Sequence, residues 1–130
     1  QRLAAYMRRA IAPPFAYGLT DCCTTADKWI RQERGVSPLA VDGYDFANES
    51  QAAVAMEANG GLARATIKAM RRAGLRRTKS PRVGDVGVVE MLGRVCVAIF
   101  DGNVWIARDE RGAIADARAR VVVAWRICKE

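Results

Sequence analysis

No histidine occurs anywhere in the 130 residues of this chain. That absence removes the side chain that most often moves protons near neutral pH. It also removes the usual base beside a cysteine nucleophile and the usual partner of cysteine in a zinc site. No apolar run approaches the roughly 20 residues that span a bilayer, so no membrane span is expected. The start of the chain is interrupted by Arg2, Arg8 and Arg9, which argues against a signal peptide. The four cysteines, Cys22, Cys23, Cys96 and Cys128, contain no C-x-x-C pair. No metal and no cofactor is expected from them, and a disulfide has no support in a chain without a signal peptide. Acidic residues are also missing from one stretch, which carries Arg64, Lys68, Arg71, Arg72, Arg76, Arg77, Lys79 and Arg82.

What is present is a chain of ordinary single-domain length with 51% hydrophobic residues and a net charge of +7. That length buries a core without disulfides or metals. The basic stretch reads either as a solvated face or as a docking surface for an anionic partner, with Arg71, Arg72, Arg76, Arg77, Lys79 and Arg82 at its centre. Aromatic interleaving and a nucleic-acid motif are both missing, which argues against nucleic acid.

The first half reads as helical. Leu3, Met7, Ala10 and Ile11 recur at helical spacing, and Pro13-Pro14 ends that helix. Asp21 is placed to cap a second helix. Cys23, Ala26 and Ile30, joined by Cys22 and Trp29, form its apolar face, and Gly35 fits its C-terminal cap. Residues 36–44 read as a loop. Asn48 and Gln51 resemble the capping box of a third, alanine-rich helix that Asn59-Gly60-Gly61 stops. A fourth helix is expected over Leu62–Ala73, with Gly74 and Leu75 closing it.

After Pro81 the pattern changes to strands. They are expected at 84–91, 95–100, 104–106 and 121–127, with Asp101-Gly102 as a tight hairpin turn and Arg111-Gly112 as another. Cys96, Cys128 and the three tryptophans Trp29, Trp105 and Trp125 fall in apolar patterns and read as core. The layout is α+β: one domain over 1–130, with a mainly helical half at 1–75 and an antiparallel meander at 81–128.

Asp21 as the cap puts Cys22 and Cys23 on the first turn of the second helix. Unpaired N–H groups and the positive end of the helix dipole stabilise a thiolate there. The residues alone also allow both cysteines to be small buried side chains.

Taken in order, Tyr17-Gly18, Asp21-Cys22, and Pro81 with Gly84-Asp85 resemble the landmarks of the NlpC-type, papain-like cell-wall peptidases. The hairpin from Arg94 to Ile106 is similar to that family's central strand and the strand after it. Pro14-Phe15, Gly18, Asp21-Cys22 and Trp125-Arg126 resemble a small relative found in tailed-phage and prophage tail modules. The likeness runs from about Pro13 to Ile127. It implies a papain-like fold, Cys22 as the nucleophile position, and a cleft lined by Tyr17, Gly18, Asp21 and Cys23. It also places Arg94 at the family's histidine and the third polar residue near Ile106. Arginine is not a base at neutral pH. General acid–base help is worth about 10²–10⁴-fold, and this chain lacks its usual source.

Three functions therefore stand as expectations. The first is a non-catalytic NlpC-like domain that assembles with other tail or baseplate proteins, made in the bacterial cytoplasm and carried into a virion or phage-like particle. The second is a cysteine hydrolase of peptidoglycan peptides with Cys22 as nucleophile. The third is a basic nucleic-acid-binding module. The missing base weighs against an enzyme.

Overall fold

The computed structural model describes residues 2–14, 21–41 and 60–127. The expected third helix, Tyr17, Gly18 and Cys128 lie outside the described residues. Helix α1 spans Arg2–Ile11 and buries Leu3, Tyr6 and Met7. Helix α2 spans Cys22–Arg34 between an Asp21 cap and Gly35, whose positive φ of 74° lets its N–H reach the Arg31 carbonyl. Residues 36–44 were expected to be loop, but a one-turn helix α3 forms at Pro38–Val41. Asp27 organises it by accepting from Ser37 Oγ at 2.6 Å and from the Leu39 N–H at 2.9 Å. Helix α4 covers Leu62–Arg72. Its end is a Schellman motif, with Leu75 N–H on the Met70 carbonyl and Gly74 N–H on the Arg71 carbonyl.

The strands are β1 Val86–Met91, β2 Arg94–Phe100, β3 Trp105–Asp109, β4 Gly112–Asp116 and β5 Arg120–Trp125. They form one antiparallel sheet in the order β4-β3-β2-β1-β5. The meander reading holds for β1, β2 and β3, and β4 is a further strand that the sequence reading did not include. β5 crosses back to pair with β1, and the ladder shifts register at Val88/Val89. The tight-turn reading also needs correction. Asp101 organises a longer connection, its carboxylate accepting the N–H groups of Asn103 and Val104 at 2.8 Å. Two-residue turns stand instead at Leu92-Gly93, where both φ values are positive, 51° and 75°, and at Glu110-Arg111 between the paired Asp109 and Gly112.

The sheet has two buried faces. Val86, Val88, Val97, Ile99 and Trp125 pack against Leu3, Met7, Trp29, Ile30 and Met70 from the helices. Val89, Met91, Cys96, Ala98, Trp105, Ala107 and Ala124 form a second cluster on the opposite face. Gly87 makes this closure feasible. A Cβ there would lie 3.0 Å from both the Trp105 ring and the Val123 carbonyl. Among the described residues, no helix is long and apolar enough to cross a membrane.

Candidate active site

The site begins with the cap of α2. The Asp21 carboxylate accepts the Thr24 N–H at 2.8 Å, and its carbonyl accepts the Thr25 N–H at 2.9 Å. Cys22 and Cys23 thus take the first two helical positions, as the sequence implies. They point to different places. Cys23 packs against the helical core, whereas Cys22 packs against the second cluster on the far face of the sheet.

One helix start touches both faces because the sheet is split there. β2 and β3 pair only at Ile99↔Ile106 and Phe100↔Trp105. Phe100 donates its N–H to Asp85 on the β1 side. Strand alternation then turns the Val97 N–H toward β3, where the ladder has already ended. That N–H serves the Cys22 sulfur instead. The thiol is held below the ordinary value, first because the Cys23 thiol donates to it, with the Val97 and Cys23 N–H groups adding to the effect. Burial and the Asp21 carboxylate oppose this. Cys23 moves the opposite way, well above the ordinary value, because it is the donor of that bond and is desolvated.

The gap between β2 and β3 is a cavity of about 120 Å³ lined by Asp21, Cys22, Arg94, Val95, Cys96, Arg108, Asp109, Glu110 and Ile114. Arg94 reaches this cavity from the start of β2. Its guanidinium faces Glu110, with both nitrogens 3.5 Å from the two carboxylate oxygens, and Asp109 lies 3.8 Å away. Glu110 is held below its usual value, first by a bond from its own backbone and then by Arg94. The charge of Arg94 lowers the Cys96 value. Cys96 is pushed up to about 12, chiefly by burial and then by the negative charge on Cys22.

Six lining residues, Val95, Cys96, Arg108, Asp109, Glu110 and Ile114, were not singled out as site residues from the sequence. Cys96 read as core, which it is, but it also faces the cavity. The signal was its spacing: Arg94 and Cys96 are two apart on one strand and share a face. Arg108, Asp109 and Glu110 end β3 and follow it. Arg108 is 4% exposed and donates to the carbonyls of Ile11 at 3.0 Å and Pro13 at 2.7 Å. It thereby ties the end of α1 to the sheet beside Cys22. Its buried Nε has no hydrogen-bond partner among the described residues. Ile106, expected where the family keeps a polar residue, packs against the helical core.

Other acids near these motifs belong elsewhere. Asp85 is fully buried and bound to Arg126, and Glu90 pairs with Arg120 at the surface. The basic residues Arg64, Lys68, Arg71, Arg72, Arg76, Arg77, Lys79 and Arg82 are all exposed on α4 and the segment after it, and none lines the cavity. Among the described residues, no group of three or more histidine, cysteine, aspartate or glutamate side chains is placed to hold a metal ion.

Chemically, the cavity offers a stabilised sulfur, a second thiol and an arginine paired with carboxylates. No curated protein and no solved structure matches the chain. Residues 1–127 match the DUF6950 family, described as a domain of unknown function, and the chain belongs to that family.

Proposed function

We propose that this chain is a papain-like domain of the NlpC type that keeps the cysteine cradle without proton-transfer machinery, and that it serves as an assembly component of a phage-like tail, at the tip or baseplate. The observation that carries the reading is Arg94. It stands at the opening of β2, in the cavity that Cys22 lines, at the position that the resemblance assigns to the family's histidine. Its charge is engaged by Glu110 and Asp109. A guanidinium in that place neither takes the thiol proton nor returns one to a leaving amine. The chain supplies no histidine from any other position.

The basic face supports the assembly half of the reading. Its exposed arginines and lysines fit acidic surfaces on neighbouring tail proteins. Synthesis in the bacterial cytoplasm followed by incorporation into the particle belongs to the same proposal. Mass spectrometry of purified particles should find the chain at fixed stoichiometry. Changing Arg71, Arg76 and Arg77 to glutamate should release it. A stable monomer that is absent from particles overturns the assembly role.

A second reading, a cysteine hydrolase of peptidoglycan peptides, is favoured by one observation: the Cys22 sulfur is stabilised as thiolate at a cavity. It requires an unconventional base or a residue donated by a neighbouring chain.

A further inference from the structure

Two thiols from distant parts of the sequence share the gap between β2 and β3. Cys22 enters it from the start of α2 and Cys96 from β2, and both line the same cavity of about 120 Å³. Cys22 also packs against the apolar cluster that contains Cys96. Both are free thiols. The space holds several water-sized groups, enough to admit a small oxidant beside the sulfurs. We propose that Cys22 and Cys96 form a redox-active dithiol, in which Cys22 reduces a hydroperoxide and Cys96 resolves the oxidised sulfur into a Cys22–Cys96 disulfide.

The two sulfurs differ in the way such a pair requires. The attacking group is a thiolate, favoured at Cys22 by the Cys23 thiol and the Val97 N–H. Burial keeps the Cys96 thiol protonated, so it does not compete with Cys22 for the oxidant. Cys23 is the competing partner, since its thiol donates to the Cys22 sulfur, but its side chain packs against the helical core and does not line the cavity. A disulfide between Cys22 and Cys23 would open the first turn of α2, where Thr25 N–H bonds the Asp21 carbonyl.

In the first step the Cys22 thiolate attacks the terminal oxygen of the hydroperoxide. An S–O bond forms and the O–O bond breaks. The leaving alkoxide takes a proton from water to become an alcohol. Cys22 is then a sulfenic acid, oxidised by two electrons, and the peroxide is reduced by the same two. In the second step the Cys96 sulfur attacks the Cys22 sulfur. An S–S bond forms, the S–O bond breaks, and the departing hydroxide carries away the Cys96 proton as water. Neither step uses a histidine, and neither depends on the chain's place in a tail.

The test uses the whole reduced chain and hydrogen peroxide as probe, followed by blocking of free thiols and peptide mapping. The expected product is a Cys22–Cys96 linked peptide pair that dithiothreitol reverses. In Cys96→Ser the same treatment should leave a sulfenic acid at Cys22 that dimedone traps and that is scarce in the unaltered chain. Cys22→Ser should lose the cross-link altogether. The wild-type map stands by itself should a variant fold poorly. Pairing of Cys22 with Cys23 or Cys128 overturns the proposal. So does a chain that stays reduced at a peroxide dose that oxidises its urea-unfolded form.

Discussion

Arg126 closes the sheet half onto Asp85: its Nε donates to the fully buried carboxylate at 2.8 Å. The other oxygen of Asp85 accepts the Ile127 N–H at 2.9 Å. The same guanidinium reaches Thr78 Oγ1 at 2.7 Å and the Ser80 carbonyl at 2.8 Å. Two of the sequence landmarks, Gly84-Asp85 and Trp125-Arg126, are thus one structural clasp. They tie the entry to β1 to the exit of β5.

Removing one side of that clasp leaves a buried carboxylate with backbone donors alone. Arg126→Ala should lower unfolding stability by about 2–3 kcal/mol. The readout is a lower urea midpoint with an unchanged slope. Arg126→Lys should recover only part of the loss, since an ammonium cannot reproduce the planar fork to Asp85, Thr78 and Ser80.

Gly87 allows the Trp105 ring and the β5 backbone to approach β1. Gly87→Ala would put a methyl 3.0 Å from the ring and from the Val123 carbonyl. The carbonyl belongs to the ladder and cannot give way freely. The substitution should cost about 1–3 kcal/mol and loosen the second apolar cluster. A lower thermal midpoint with reduced near-ultraviolet ellipticity from tryptophan is the expected observation.

Much of this was legible in the sequence because it is local. Asp21 and Gly35 bracket α2 by cap chemistry, and Gly74-Leu75 closes α4 in the same way. β4 was missed because Ala113, Ile114 and Ala115 give a short strand with little β preference. The pairing of β5 with β1 was missed because register between distant strands is set by packing, which no local signal reports. The cavity follows from that same long-range geometry. Cys22 could be read from its helix, but its neighbours Cys96 and Arg108 depend on where the β2–β3 ladder ends.

The thiolate at Cys22 makes a prediction about pH. Iodoacetamide should modify Cys22 faster than Cys23 or Cys96, with a midpoint below the ordinary thiol value. The rate should fall as pH drops through that midpoint and the sulfur gains its proton. The charged and titratable groups around it are Asp21, Cys23, Cys96, Arg94, Arg108, Asp109 and Glu110. Of these, the Asp21 carboxylate raises the Cys22 value. Asp21→Asn keeps a capping side chain, so α2 should persist. The midpoint should move lower still. An unchanged midpoint in a folded variant would show that the Asp21 charge does not reach the sulfur.

The most direct measurement is release of peptide from purified cell-wall fragments, compared between the unaltered chain and Cys22→Ala across neutral pH. With Arg94 engaged by carboxylates and no histidine in the chain, both proteins should give the same background release. Turnover by the unaltered chain that disappears with the Cys22 sulfur would contradict the account.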